Sequence, residues 1–353
     1  EEYFLFILKN YPDKSEIKQL KAFFYIFSLG IRKLFLPDKN IPNFINSLQS
    51  SDIEIFRKLG FSMTALFGLS TVRSLSGEGS VYKYLDYPIY KNSKIEKREN
   101  AIPKSIEVAV IGSGAGGGIA ANLLNKKYEV GIFDKGSFPN GATNNETFGY
   151  HNFYETNAIQ QTRGYKVQLL AGMGIGGGTS INWTTSLRTP DNILSEWDSL
   201  TQQNNYFNSE QFKNSLDYVC ENLNVGEANN KVPQKEIKLA QGLELNKMSY
   251  KVIPRNTKDP ECLESGFSTF GHSDENINSS YNSWFSKDKF NDENIYSNTH
   301  VKSLSISKGR ATHVNIENNG QSLSVEVNKV VLASGSLNTP KILLNSGYKN
   351  KHL

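Results

Sequence analysis

Residues 106–134 read IEVAVIGSGAGGGIAANLLNKKYEVGIFD, and this stretch decides the fold. A short apolar, β-branched run comes first, a cluster of glycines follows, and a helical stretch leads to a second apolar run that ends at Asp134. Short strand-like runs that alternate with a helix-length segment are typical of a β-turn-α-β unit, the first part of a doubly wound sheet. The sequence therefore predicts an α/β fold with a Rossmann-like domain.

The glycine cluster matches the G-x-G-x-x-G pattern of a dinucleotide-binding turn at Gly112, Gly114 and Gly117. The first glycine permits a tight turn, the second lets the backbone approach a pyrophosphate, and the third lets the helix pack on the strand. The helix N-terminus then faces the phosphate charge. Asp134 ends the second strand, where its carboxylate can accept hydrogen bonds from adenosine ribose hydroxyls. This carboxylate argues against NADP, but the pattern by itself does not separate NAD from FAD.

Two further glycine motifs make that distinction. Residues 172–183 read GMGIGGGTSINW, and residues 335–347 read GSLNTPKILLNSG. With the first loop, they resemble the glucose–methanol–choline (GMC) family of FAD-dependent oxidoreductases, in that family's order and at compatible separations. The continuation LRTP at residues 187–190 is most similar to the long-chain alcohol oxidase branch. Residues 262–272 depart from it, because serine and histidine stand where branch members are richer in cysteine.

The resemblance implies FAD as the cofactor. Consecutive glycines followed by small polar residues offer backbone amides at short range, which suits the pyrophosphate and the edge of the flavin ring. Relatives that tether FAD use a histidine in or beside the second loop, and residues 160–190 contain neither histidine nor cysteine, so we expect FAD to be held non-covalently. In the family, the strand around Val301 lies beside the adenine. The expected cofactor-binding residues are Gly112, Gly114, Gly117, Asp134, Gly172, Gly176, Gly177, Thr179, Asn182, Val301 and Gly335.

The resemblance also implies a reaction, the oxidation of an alcohol to an aldehyde or ketone by hydride transfer to flavin. A long-chain or lipophilic alcohol is the substrate class considered, and oxygen, a quinone or a cytochrome is the electron acceptor. In the family, a histidine near the C-terminus takes the hydroxyl proton. We therefore expect this chain to be an N-terminal fragment without the catalytic segment, and we assign no catalytic residue. Among the histidines present, His272 is the one to test.

Two alternatives stay open from the sequence. One is a flavin-binding electron-transfer module without oxidase chemistry of its own. The other is an NAD-dependent dehydrogenase, which the second and third glycine motifs disfavour. The spacing of acidic, histidine and cysteine residues supports no metal cluster and no Ser-His-Asp arrangement.

Composition excludes some other functions. The net charge is +4, and its basic residues form no concentrated block, so nucleic acid is not an expected partner. Cys220 and Cys262 form no CxxC pair, which favours two unpaired thiols in a reducing compartment. The apolar run at residues 22–31 is too short to span a bilayer. The sequence does not determine the location, and a cytoplasmic location and a peripheral membrane contact through this phenylalanine-rich segment are the two that we consider.

The organisation along the chain has four expected parts. Residues 1–104 form a helical N-terminal region and linker, 105–190 the first part of the FAD-binding domain, 191–290 an inserted substrate-side segment, and 291–353 the second part of the domain. Helical stripes run over residues 17–34 and 55–66. In the insertion, one helix is predicted at residues 212–223. Strands are predicted at 301–306, 312–317 and 325–332, with a turn at 318–320 and a final helix that has Pro340 in its first turn.

Overall fold

A computed structural model describes residues 41–72, 101–138, 146–158, 160–162, 167–202, 205–227, 234–257, 277–285 and 290–350, with single positions at 18, 25, 95, 98, 100 and 232. The chain divides into two compact units, Glu1–Asn92 with Asn145–Leu170 and Ser93–Asn144 with Ala171–Leu353. The predicted boundaries at 104, 190 and 290 stay predictions. Apart from positions 18 and 25, the helical stripe at 17–34 lies outside the described residues, as do half of the linker and the segment around Cys262 and His272.

The first unit is helical in its described residues up to 72. Helices α1 (Ile41–Gln49) and α2 (Glu54–Val72) cross at Gly60, where a Cβ atom would lie 2.8 Å from the backbone nitrogen of Gln49. Met63, from the predicted 55–66 stripe, is buried, which confirms a helix in that segment. Further along the chain come α4 (Glu146–Phe153), a 3₁₀ turn and the short antiparallel pair β3 (Gln160–Gln161) and β4 (Gln168–Leu169).

A six-stranded sheet forms the centre of the second unit. Its strands are β1 (Ser105–Ile111), β2 (Val130–Phe133), β5 (Ile295–Tyr296), β6 (Thr299–Ser307), β7 (Arg310–Asn318) and β8 (Gln321–Leu332). In space the strands run β5–β2–β1–β8–β7–β6. Strand β1 is parallel to β2 and β8, β2 is parallel to β5, and the pairs β6–β7 and β7–β8 are antiparallel.

Strand β8 has two partners along its length. Its first half pairs with β7 after the turn at Asn319 and Gly320, which both have positive φ, and its second half pairs with β1 from Glu326 to Leu332. The predicted strands at 301–306, 312–317 and 325–332 and the turn at 318–320 are therefore confirmed. A period-2 pattern bounded by a turn with positive φ is a local signal, so it could be recognised without knowledge of the packing.

Helices cover both faces of the sheet. Helix α9 (Gly335–Asn345) contributes Ile342 to an apolar cluster on one face, and helices α3 (Ala115–Leu124) and α8 (Ser280–Trp284) contribute Ala121 and Trp284 to a cluster on the other. Strand β1 feeds both clusters, with Ile111 on the first side and Val110 on the second. A strand buried on both faces needs a nearly continuous apolar run, which residues 106–111 supply. The α/β fold class is confirmed.

Two details of the prediction were wrong. Residues 191–290 contain more than the one expected helix. Besides α6 (Glu210–Asn222), which confirms that helix, the segment holds α5 (Asp191–Thr201), α7 (Gln234–Leu245) and α8. Helix α7 has no buried residue in the structure, and such a helix carries little apolar periodicity to recognise.

The second error concerns Pro340. Helix α9 begins at Gly335, so Pro340 lies inside the helix and not in its first turn. The N–H that proline lacks would have met the carbonyl of Ser336, four residues earlier. Ser336 is exposed, so water can take the place of the missing donor. Across the described residues, no helix is both long and apolar enough to cross a membrane.

Candidate cofactor site

The first glycine loop joins β1 to α3 in a turn that only glycine fits. Gly112 has φ of 98°, and a Cβ atom on it would lie 2.5 Å from the carbonyl oxygen of Ala333, at the end of β8. A Cβ atom on Gly117 would collide with the carbonyl oxygen of Gly112. The first glycine therefore makes the tight turn and the third allows the helix to pack against it, as the motif predicts.

The N-terminus of α3 is bare. Gly114 is its N-cap and supplies no side-chain acceptor, and the first turn contains no acidic residue. The N–H groups of a first helical turn have no acceptor within the helix, and the helix dipole makes this end positive. Ala115 and Gly116 are exposed at this point. The loop therefore fits a phosphate group, since the donors of this turn are open and a Cβ atom on Gly116 would meet nothing within 4 Å.

The second glycine loop packs directly on the first. Gly177 has φ of 57°, and a Cβ atom on it would lie 3.0 Å from the Cα atom of Gly114. Within the loop, a Cβ atom on Gly172 would collide with the backbone of Gly178, and one on Gly176 with the hydroxyl of Ser180. Gly114 and Gly177 thus bring the backbones of the two loops together, and a side chain at Gly172 or Gly176 would disturb the second loop itself.

The carboxylate of Asp134 is buried beneath the two loops. Its Oδ2 accepts hydrogen bonds from the backbone nitrogen of Ser113 at 2.8 Å and the hydroxyl of Ser113 at 2.6 Å. Its Oδ1 accepts one from the backbone nitrogen of Gly136 at 2.8 Å. Burial raises the pKa of Asp134, and these hydrogen bonds and the charge of Lys135 oppose that rise. A carboxylate offers about four acceptor positions, so one is left for a ligand hydroxyl.

Thr179 and Ser280 connect the second loop to the first. The Thr179 hydroxyl donates to the carbonyl of Gly176 at 2.6 Å and accepts from the backbone nitrogen of Ser280 at 2.8 Å. The Ser280 hydroxyl donates in turn to the carbonyl of Gly114 at 3.1 Å. Ser280 was not among the residues predicted for the site. The available signal was a pair of serines, Ser279 and Ser280, at the start of a short helix.

The remaining predicted residues occupy separate positions. The Asn182 side chain accepts from the backbone nitrogen of Thr184 at 2.8 Å. Val301 is buried in β6, at the far edge of the sheet from β5, yet the backbone nitrogen of Thr299 donates to the carbonyl of Asp134 at 2.8 Å, which brings the start of that strand to the end of β2. Gly335 opens α9, with open space where a side chain would project.

The described histidines occupy secondary-structure elements. His151 lies in α4, and His300 and His313 lie in β6 and β7. Partial burial lowers the pKa of His300, and the neighbouring charge of Lys302 lowers it further. In the part of the chain that the structure describes, no group of three or more His, Cys, Asp or Glu side chains could hold a metal ion.

Comparison with known proteins identifies the family. The family model for GMC oxidoreductases matches residues 108–353. Among curated proteins, the chain is 28% identical to the long-chain-alcohol oxidase FAO1 of Arabidopsis thaliana, over 75% of this chain and 37% of that protein. It is 29% identical to the long-chain-alcohol oxidase FAO4B of the same plant, over 70% of this chain and 35% of that protein. The chain thus spans little more than a third of the length of these relatives.

Two solved structures also align with part of this chain. Pyridoxine 4-oxidase from Mesorbium loti aligns with a TM-score of 0.40 and 16% identity, over 69% of this chain and 52% of that one. An Aspergillus oryzae formate oxidase carrying the mutation R554K aligns with a TM-score of 0.45 and 15% identity, over 69% of this chain and 48% of that one. Because the family model covers well over half of the chain, this protein belongs to the GMC oxidoreductases, a family of FAD-dependent enzymes, as its glycine motifs predicted.

Proposed function

We propose that this chain is the FAD-binding part of an enzyme that oxidises an alcohol to an aldehyde or ketone. The observation that carries the proposal is the bare N-terminus of α3, set against two glycine loops whose backbones touch at Gly114 and Gly177. This surface offers unpaired N–H groups and no side-chain obstruction, which is what a dinucleotide pyrophosphate requires. Membership of the GMC family makes FAD that dinucleotide.

Each predicted residue has a part in holding FAD. Gly112, Gly114 and Gly117 shape the turn and helix start that would receive the pyrophosphate. The acceptor position left on Asp134 would take a ribose hydroxyl, and the main chain at Val301 would meet the adenine. The remaining residues, at or near the second and third glycine motifs, would line the flavin side of the cofactor: Gly172, Gly176, Gly177, Thr179, Asn182 and Gly335.

Oxidation of the alcohol needs one acceptor for a hydride and a second acceptor for the hydroxyl proton. When bound, FAD supplies the acceptor for the hydride that leaves the alcohol carbon. The hydroxyl proton goes to a general base, and we assign that role to none of the described residues. The part of these residues is to bind and orient the cofactor so that its reactive face is presented in one position.

The substrate class we propose is a long-chain or otherwise lipophilic alcohol, and oxygen is the proposed electron acceptor. Support comes from the curated relatives, which are named long-chain-alcohol oxidases. A quinone or a cytochrome is the alternative acceptor. We keep non-covalent attachment of FAD and a cytoplasmic or peripheral membrane location as parts of the proposal.

The test uses the purified intact protein. We expect visible flavin absorbance, and bleaching of the oxidised flavin band when a long-chain alcohol is mixed in anaerobically, with the aldehyde formed in equal amount. Admitting oxygen should restore the band and produce hydrogen peroxide. Bound flavin that no alcohol bleaches would favour the electron-transfer module. A colourless protein that binds NAD would overturn the proposal.

A panel of alcohols tests the proposed substrate class separately from the proposed type of reaction. Short, long and aromatic alcohols should be compared at equal concentration, and we expect the bleaching rate to increase with chain length. Equal bleaching rates for all the alcohols would still support alcohol oxidation, but they would contradict the proposal of a lipophilic substrate.

A further inference from the structure

We infer that Ser113 is a positioning residue, which links Asp134 to the backbone of Gly176 and so holds the two glycine loops in the arrangement that binds flavin. This inference rests on the proposed function, since it concerns the same site. It goes beyond the motif, which reserves no role for the residue between the first two glycines.

The side chain of Ser113 is fully buried and makes two hydrogen bonds of opposite direction. Its hydroxyl donates to Oδ2 of Asp134 at 2.6 Å and accepts from the backbone nitrogen of Gly176 at 2.9 Å. The partners lie 21 and 63 positions away in sequence. A serine hydroxyl has one donor and two acceptor positions, so this one group satisfies both neighbours. Alanine would satisfy neither of them.

Removing the hydroxyl leaves two groups without a partner. Gly176 is buried, so its N–H would lose its acceptor away from water, and Asp134 would lose the shorter of its two bonds to Ser113. An unsatisfied buried group favours any conformation in which it finds water. Gly176 and Gly177 both have positive φ, and glycines reach other conformations readily, so the second loop has alternatives.

Loss of loop order lowers flavin affinity even when the fold persists. The apparent dissociation constant rises by the reciprocal of the fraction of molecules whose loops are in the binding arrangement. One lost hydrogen bond to a charged group corresponds to about a ten- to hundredfold change in such an equilibrium. We therefore expect Ser113→Ala to weaken FAD binding by about ten- to hundredfold.

The pH dependence of FAD affinity distinguishes a positioning role of Ser113 from a general effect on the stability of the protein. The Ser113 hydroxyl stabilises the charged form of Asp134, against the burial that raises the pKa of this carboxyl. Without the hydroxyl, the pKa rises further. Lys135 is the charged side chain that acts on this carboxylate, and it is unchanged in the variant. If the ribose binds the carboxylate form, FAD affinity in Ser113→Ala should fall on acidification at a higher pH than in the wild type.

Ser209 provides a matched control. Its hydroxyl also donates to a carbonyl, that of Tyr206 at 2.6 Å, and accepts from a backbone amide, that of Phe212 at 3.2 Å. It caps the N-terminus of α6 and belongs to none of the three glycine motifs. Ser209→Ala therefore removes the same kind of bridging hydroxyl, with FAD affinity and its pH profile expected to stay within about twofold of the wild type.

The experiment measures FAD dissociation from the intact holoprotein by the fluorescence of released FAD, as a function of pH. The thermal unfolding midpoint of each flavin-free protein is measured in parallel. The inference is supported if Ser113→Ala binds FAD more weakly and the acid limb of its pH profile, the loss of affinity on acidification, is shifted to higher pH, while Ser209→Ala shows neither change. Unchanged affinity in Ser113→Ala overturns it, as does a loss of affinity with an unshifted acid limb.

A second variant covers the case in which Ser113→Ala does not fold. Ser113→Cys keeps a weak donor of similar size, and we expect it to fold, to bind FAD with intermediate affinity and to show a smaller shift of the acid limb. Wild-type affinity and pH profile in this variant would contradict the inference. Failure of the wild-type protein itself to bind FAD would be a separate result, because it would overturn the proposed function.

Discussion

Gly114 and Gly177 lie in backbone contact, because a Cβ atom on Gly177 would stand only 3.0 Å from the Cα atom of Gly114. This contact joins two loops that are 63 positions apart in sequence, and it places the bare end of α3 beside the second glycine motif. We expect Gly177→Ala to separate the loops and abolish flavin loading, because the added methyl group meets backbone and Gly177 has positive φ. Flavin absorbance per mole of purified protein measures this.

The control for that variant is Gly242, which lies in α7 outside the glycine motifs. A Cβ atom on Gly242 would meet nothing within 4 Å, so Gly242→Ala should load flavin normally. Equal loading in the two variants would show that the contact between the loops does not matter for the cofactor.

Gly114→Val should separate cofactor binding from folding. A Cβ atom on Gly114 would have its nearest neighbour, the Cα atom of Gly177, at 4.0 Å, so the protein itself has room for a side chain there. The space is where backbone would approach the pyrophosphate. We expect a thermal unfolding midpoint of the flavin-free protein close to that of the wild type, together with loss of FAD binding. Normal flavin loading in this variant would remove Gly114 from the site.

Asp134→Asn should weaken both FAD binding and the fold. The carboxylate accepts from donors on both of its oxygens, and an amide of the same size turns one side into a donor, so at least one N–H or O–H group would face an NH₂ group. We expect a loss of about 1–3 kcal/mol in the free energy of unfolding and a ten- to hundredfold weaker FAD affinity. Denaturant unfolding and FAD titration measure the two effects. An unchanged FAD affinity would mean that another group holds the ribose.

The pH dependence of stability should carry a contribution from the same carboxyl. Burial raises its pKa in the folded protein above the ordinary value of 3.8, although hydrogen bonds from Ser113 and Gly136 oppose the rise. A raised pKa of an acid means that its contribution to stability is present below the unfolded pKa and is lost as pH rises through the folded pKa. The unfolding midpoint of the flavin-free wild type, relative to Asp134→Asn, should therefore decrease as the pH rises above the ordinary pKa of 3.8. A constant or increasing difference would contradict this assignment.

We expect FAD to be released when the protein is denatured, without cleavage of a covalent bond between FAD and the protein. Residues 160–190 contain no histidine or cysteine to which it could be tethered in the manner of relatives. Acid precipitation of the intact holoprotein should leave the yellow colour in the supernatant, and the absorbance of the two fractions measures this. Colour that stays in a washed pellet would show a covalent bond formed elsewhere in the protein.

Local signals made a large part of the second unit predictable. The strand before Gly112, the strand before Asp134 and the antiparallel strands after residue 298 each carry a short apolar or alternating pattern bounded by a turn. The helices α5 and α7 were missed. Helix α5 buries only Leu194 among its described side chains and α7 buries none, while apolar side chains such as Trp197 and Leu239 stay exposed, so neither helix presents a buried stripe to the core. Pro340 was misplaced because a proline inside a helix and one at its start look alike in sequence.

By itself, the sequence determined the β-turn-α-β unit and the identity of the glycines, because a positive φ or a close backbone approach excludes other residues at a given position whatever surrounds it. Only the tertiary structure decided which groups those glycines bring together. Ser113 binds Gly176 across 63 positions and Ser280 binds Gly114 across 166, and no local pattern records such pairs. Asp134 illustrates the difference. Its place at the end of β2 follows from the sequence, and the N–H of Gly136, two positions further on, fills one acceptor position locally. The two positions that Ser113 fills depend on the packing of the first loop against the end of β2.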